Sequence, residues 1–365
     1  SEWQDCRITC PNATRTSCVN NKCECYYDEI GDGKNNSDFV ETKQCDDIPV
    51  KFSASPVSLD DLAYIDPMGV LTDSHVTPVD HQYWNLPVSS DGAQQNLVEL
   101  RAPAAGRIFH IGRFTAPVSD RPQPGFKPDY RFIIEHSCNV STIYIHIDEL
   151  SEKILSKANF TGDNYPSAQV DVEVEAGEVI GWVSDRSFDF SAHDKAVSLK
   201  NFAVPEHYYY EEWKIHTVDP FDYFEEPLAS QLKAKSLRRV APLGGKIDYD
   251  INGKLVGTWF KENTNGYGGL KLERYWDGHL SIVYDHIDPT QIQVSTGDYG
   301  GISAQFGVKG NGPDPATVSA ASGIIKYELV NSDYVHSNGD RWDRASFADD
   351  LKVVNFNDVR GVFLV

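Results

Sequence analysis

The chain has 365 residues, with 33 Lys and Arg against 54 Asp and Glu and a formal net charge of −21. That balance excludes a nucleic-acid binder, which gathers basic side chains on one face; the richest basic stretch is only Lys233–Arg239. No apolar run has the length of a membrane span, so no crossing is expected, and the acidity suits a protein kept soluble in a salty or cation-rich medium.

Residues 1–48 read as a small module. Cys6, Cys10, Cys18, Cys23, Cys25 and Cys45 fall there, and only Cys138 lies elsewhere. The module is too poor in apolar residues for an oily core, so the clustered cysteines point to a disulfide framework. A zinc site fits worse: Cys23-x-Cys25 lacks the usual two-residue gap, and no histidine precedes His75. Cys18–Cys25 reads as a hairpin turning at Asn-Asn, and it resembles the last hairpin of knotted toxins and defensins. Asn-x-Ser/Thr sequons stand at Asn12, Asn35, Asn139 and Asn159, with none in the last 200 residues. Cysteines and sequons together predict a secreted, glycosylated protein of the cell surface. Ser1–Asp5 is no leader peptide, so the expectation is a mature form. Cys138 is the odd thiol, either paired with the module or buried.

Residues 49–225 alternate short β-rich runs with Pro and Gly. Strands are expected at Leu97–Ala102, Gly106–Ile111, Tyr130–His136, Thr142–Ile147, Gln169–Val174 and Val179–Val183, which argues for an all-β barrel or sandwich. A helix is expected over Ile147–Lys157. Tyr208–Trp213 is aromatic and acidic and reads as packing against a neighbouring domain. Residues 226–240 form a linker with a short helix over Leu228–Leu237. Residues 241–365 read as a second β domain, a barrel or a sandwich. Its expected hairpins are Lys246–Asp250 with Lys254–Phe260 across Asn252-Gly253, and Leu270–Tyr275 with His279–Tyr284 across Asp277-Gly278. Further strands are expected within Gly300–Val308 and Gly323–Val330.

Two stretches of the middle domain share a shape: Val98–Gly112 and Val172–Val183. Each is a strand, a tight Gly turn and a strand, and both resemble halves of the biotinyl/lipoyl hybrid motif. The glycine lets a strand cross from one small sheet to another. No lysine sits at a hairpin tip, which excludes a swinging-arm carrier.

The order of segments over residues 70–195 resembles the lysostaphin-type zinc peptidase family, whose barrel is a duplicated hybrid motif. The segments are Ser74–Trp84, Ala102–Ile108, Ile134–Cys138, Ile143–Asp148, Glu175–Gly181 and Ser187–Ser191. The family holds zinc with a His-x-x-x-Asp pair and the second histidine of His-x-His, and further histidines serve the attacking water. Such a site keeps one position open for that water. Carried over, Asp80 matches the aspartate, but Val76 stands where the first histidine belongs and His75 is one place off. His146 matches the catalytic histidine of the Tyr-x-His segment. Ser187 and Asp189 replace His-x-His.

Two readings follow. In the first, Asp80, His81, His146 and Asp189 are hydrogen-bonded remnants of a retired enzyme fold and no cofactor is needed. In the second, Asp80 and Asp189 hold zinc with His75, His81 or His146, since mixed His and carboxylate sites suit zinc and manganese. The leading expectation is a non-catalytic extracellular scaffold binding a surface polymer or protein, or itself in a homo-oligomer or filament through strand addition. The alternative is a metal-dependent hydrolase of a surface polymer. His193-Asp194 reads as surface polarity, and no Gly-x-Ser-x-Gly elbow or phosphate loop occurs.

Overall fold

The computed structural model describes residues 15–19, 22–26, 48–87, 97–116, 127–162, 165–184, 187–270 and 272–365. The chain divides into two compact units, Ser1–Val40 and Glu41–Val365. In the first, β1 (Arg15–Val19) pairs antiparallel with β2 (Lys22–Tyr26), and Cys18 stands opposite Cys23. That is the expected hairpin. The side chains of Cys6, Cys10, Cys18, Cys23, Cys25 and Cys45, like Asn12 and Asn35, lie outside the described residues.

The second unit is mostly sheet. Its strands are β3 (Tyr64–Asp66), β4 (Gln82–Asn85), β5 (Val98–Arg101), β6 (Gly106–Phe114), β7 (Asp129–Glu135) and β8 (Val140–Ile147). They continue with β9 (Glu149–Leu150), β10 (Ser167–Val174), β11 (Val179–Val183), β12 (Phe188–Asp194) and β13 (Thr217–Val218). One sheet runs β10-β6-β7-β8-β12-β4-β3, with β13 beside β12, and a smaller one runs β5-β11-β9. The shared motif is visible in this arrangement. β5 and β11 pair in the small sheet while β6 and β10 pair in the large one. Each Gly turn therefore carries the chain between sheets. Gly177 takes φ +78° in one such turn, a conformation that costs a residue with Cβ. Gly181 lets strands close up, because a Cβ there would lie 2.5 Å from the Glu149 carbonyl oxygen. Trp84, Phe132, Tyr144, Phe188 and Phe190 fill the space between the layers.

The expected helix over Ile147–Lys157 shrinks to α1 (Glu152–Leu155), because β8 runs through Ile147 and Glu149–Leu150 adds to β11. Helix α2 (Leu228–Lys235) lies in the predicted linker and buries Ala229 and Leu232 in the core formed with these two sheets.

The remaining strands are β14 (Gly257–Phe260), β15 (His279–Tyr284), β16 (Ile292–Thr296), β17 (Ala304–Val308), β18 (Lys326–Val335) and β19 (Lys352–Leu364). They form one antiparallel sheet in sequential order. Among the described residues β14 and β19 do not pair, so the expected barrel or sandwich is an open meander. Neither expected hairpin forms. Lys246–Asp250 is not a strand: Asp248 and Asp250 accept hydrogen bonds from the backbone N–H groups of Asn201 and Ala203. β14 pairs with β15 instead. Leu272–Gly278 is 3-10 helical, with Trp276 fully buried. Long-range acceptors and an aromatic anchor outweigh the local turn signals.

Candidate functional site

The candidate residues meet on neighbouring strands β8, β12 and β4. Asp189 of β12 stands opposite Ile145 of β8 and Tyr83 of β4. Asp80 and His81 immediately precede β4. His146 reaches the same place through a bulge. Tyr130 pairs with Ile147 and Phe132 with Tyr144, so Ile145 and His146 together face Arg131. His146 takes φ +68°. An extra residue re-aims a side chain, and a left-handed non-glycine residue stores strain. His146 Nδ1 is 2.9 Å from Oδ2 of the fully buried Asp129, and its Nε2 is 3.7 Å from Asp189 Oδ2.

Asp80 is the residue on which the sequence resemblance rests most firmly, and its carboxylate is already engaged. The Lys214 ammonium donates to Asp80 Oδ1 at 2.9 Å. The Trp213 indole N–H donates to Asp80 Oδ2 at 3.0 Å. Both donors come from the 3-10 run Pro205–His216. Lys214 Nζ also lies 3.1 Å from Glu211 Oε2 and 4.7 Å from the Tyr267 ring centre. Burial opposes charge on Asp80, but Lys214 and His81 outweigh it and hold the carboxyl well below its ordinary range. Burial likewise opposes charge on Lys214, and Asp80 with Glu211 raises its pKa above the usual ammonium value. The pair is therefore fully ionised at neutral pH.

His81 sits between the two acids. Its Nδ1 is 3.4 Å from Asp80 Oδ1 and its Nε2 is 3.3 Å from Asp189 Oδ2. Neither His81 Nε2 nor Asp189 Oδ1 makes a hydrogen bond, although both are buried. His75 lies in a tight turn made by reciprocal backbone hydrogen bonds with Thr72. Its ring packs edge-on against His81 at 5.6 Å. Burial first, then the neighbouring His81 and Lys214, pushes its pKa down to about 3, so it is a neutral imidazole.

These residues do not fit the family's three-ligand zinc site. Both Asp80 oxygens are taken by protein donors. Val76 is an apolar side chain exposed by only 1%. Among the described residues no group of three or more His, Cys, Asp or Glu side chains is arranged to hold a metal ion.

Four of the predicted residues, Asp80, His81, His146 and Asp189, converge, and His75 borders them. Lys214, Trp213, Glu211 and Asp129 belong to the cluster but carried no motif. Trp213 ends the Tyr208–Trp213 run, which reads as plain packing, Lys214 follows it, and both meet Asp80 across more than 130 positions. His193 is a correction: it is fully buried rather than on the surface. Its Nε2 is 2.9 Å from Ser191 Oγ and its Nδ1 is 3.2 Å from the Trp213 carbonyl oxygen. Burial lowers its pKa to about 4. Asn159 is exposed and Asn139 half-buried. Cys138 is disulfide-bonded.

No protein-family model matches the chain, and no curated protein matches it. Among solved structures, a zinc-containing peptidase from Vibrio cholerae is similar at 15% identity and a TM-score of 0.24. The likeness covers 40% of this chain and 37% of that one, so this chain spans well under half of that peptidase. The SpoIIQ–SpoIIIAH pore-forming complex is similar at 12% identity and a TM-score of 0.26, over 50% of this chain and 96% of that chain. Lysostaphin is similar at 13% identity and a TM-score of 0.26, over 72% and 93%.

Proposed function

We propose that this chain is a non-catalytic extracellular protein of the cell surface, a binding or structural scaffold on a peptidase-like β fold. One observation carries the reading: Lys214 and Trp213 use both oxygens of Asp80. A lysine ammonium supplies, from within the chain, the positive charge that a metal ion supplies in the family the sequence resembles. It offers no open coordination position and no Lewis acidity, so it cannot ionise a water as zinc does. The clustered cysteines, the sequons and the acidic surface support secretion, glycosylation and a disulfide-held first module. Mass analysis before and after deglycosylation tests the sequons; unchanged mass at all four removes that part.

A metal-dependent hydrolase of a surface polymer is the second reading. It is favoured by the unpartnered His81 Nε2 at 3.3 Å from Asp189 and by His146 Nε2 at 3.7 Å. Ligand atoms on one tetrahedral zinc lie about 3.3 Å apart, given bonds of roughly 2.0–2.1 Å. Elemental analysis of protein purified without chelator separates the two readings. Stoichiometric zinc or manganese, lost on Asp189→Ala, overturns the first.

A further inference from the structure

A lysine amine and a carboxyl group pressed together out of water are the two halves of an amide. Lys214 and Asp80 are each exposed by only 5%, and Lys214 Nζ lies 2.9 Å from Asp80 Oδ1. The Tyr267 ring covers the ammonium at 4.7 Å, and the Tyr267 hydroxyl meets that of Tyr275 at 3.4 Å. A second carboxylate attends the amine: Glu211 Oε2 is 3.1 Å from Lys214 Nζ. Its side chain is 30% exposed, so of these three groups it is the one that opens to solvent. On the far oxygen of Asp80, the Trp213 indole N–H donates to Oδ2 at 3.0 Å. The ion pair already described accounts for Lys214 and Asp80 but gives Glu211 no task.

Amide formation gives each group one. Well-oriented groups within one molecule react as though at about 10⁵ M or more, and the packed fold holds this amine against this carboxyl. Glu211 is placed to take a proton from Nζ as a general base, which frees the lone pair for attack. The indole N–H stabilises the negative charge that gathers on Oδ2 as the Asp80 carbon becomes tetrahedral. The bond from Lys214 Nζ to Asp80 Cγ forms, the bond from Cγ to Oδ1 breaks, and Oδ1 leaves as water. One ammonium proton reaches Oδ1 across their hydrogen bond, and a second reaches it through Glu211, which ends as it began. Ammonium and carboxylate become one amide and one water, with no oxidant and no co-reactant. Condensation also removes two buried charges, and keeping charges out of water is costly even when they are paired.

We propose that Lys214 and Asp80 condense into an intramolecular isopeptide amide, with Glu211 relaying the proton. The amide ties the segment before β4 to the 3-10 run Pro205–His216, across 134 positions of the chain. It deepens the scaffold reading and rests on the same contact, but the two fail separately: a free Lys214 amine overturns the amide alone, and metal bound through Asp189 overturns the reading. Proteolysis of the denatured, reduced full chain followed by mass spectrometry tests it. In the wild type the peptides carrying Asp80 and Lys214 are expected to stay joined, lighter by one water than their sum, and trypsin is expected not to cut after Lys214. Lys214→Arg keeps the charge without an amine that condenses, and is expected to give two separate peptides of full mass. Glu211→Gln keeps both reacting groups and is expected to lower the joined fraction by about tenfold or more, since a general base contributes roughly 10²–10⁴-fold in rate. Circular dichroism checks that both variants fold. Separate wild-type peptides of full mass overturn the proposal. So does joining in Glu211→Gln equal to wild type, or a fragment spectrum that places the amide on Glu211.

Discussion

Replacing Lys214 with methionine leaves the Asp80 carboxylate buried beside His81 without its principal cation. The Lys214–Asp80 contact is 2.9 Å, and both side chains are less than 9% exposed. At an effective dielectric constant of 20 the attraction is about 6 kcal/mol before desolvation is counted. Much of that offsets the cost of burying both charges, but the loss of one partner alone strands the other, at about 3–5 kcal/mol. Lys214→Met is therefore expected to lower the unfolding free energy by that amount in urea titrations at pH 7. Asp80→Asn is expected to cost a similar amount, because it strands Lys214 beside Glu211 alone. The double variant removes both charges and is expected to cost at least about 2 kcal/mol less than the sum. The penalty of Lys214→Met is also expected to shrink in acid, where Asp80 protonates and no charge is stranded. A single variant within about 1 kcal/mol of wild type, or strictly additive effects, refutes the picture of a coupled buried pair.

Three further outcomes follow from other parts of the unit. His193 and His279 are buried, and burial lowers both pKa values to about 4; stability is thus complete above their unfolded value near 6.5 and falls as pH drops toward 4, by up to about 3 kcal/mol each. Unfolding titrations between pH 7 and 4 check this, and their replacement by Phe is expected to flatten the curve. His286 has the opposite sign: burial opposes its charge, but Asp66, at 2.8 Å, and Asp285 raise its pKa. Its contribution is full below its unfolded value and is lost as pH rises through the raised one, so the deficit of His286→Ala is expected to be smaller at pH 9 than at pH 6. Gly181→Ala places a methyl group 2.5 Å from the Glu149 carbonyl oxygen and is expected to cost roughly 2 kcal/mol in thermal unfolding.

The sequence carried the fold where the signal is local. The Gly turns at Ala102–Gly106 and Glu175–Gly177 are legible because a strand cannot change sheets there without them, whereas Asp80, His146 and Asp189 are legible only through the resemblance of their segments to the lysostaphin-type family. Asn252-Gly253 promises a hairpin, but Asp248 and Asp250 find backbone donors near Asn201 and Ala203 instead. His193 reads as surface because it stands in an adjacent polar pair with Asp194; in the fold Trp213 of the 3-10 run from Pro205 to His216 packs over it, and β12 is buried from Phe188 to His193. Lys214 was illegible for a related reason. Nothing local distinguishes a lysine that ends an aromatic run from one in solvent, and only the closed fold brings it to Asp80.

Calorimetric titration of zinc into the chelator-treated wild type and Asp80→Ala proteins tests most directly whether Lys214 stands in a metal's place. No binding event that depends on Asp80 is expected while Lys214 is present. One-to-one binding to the wild type that Asp80→Ala abolishes would contradict it.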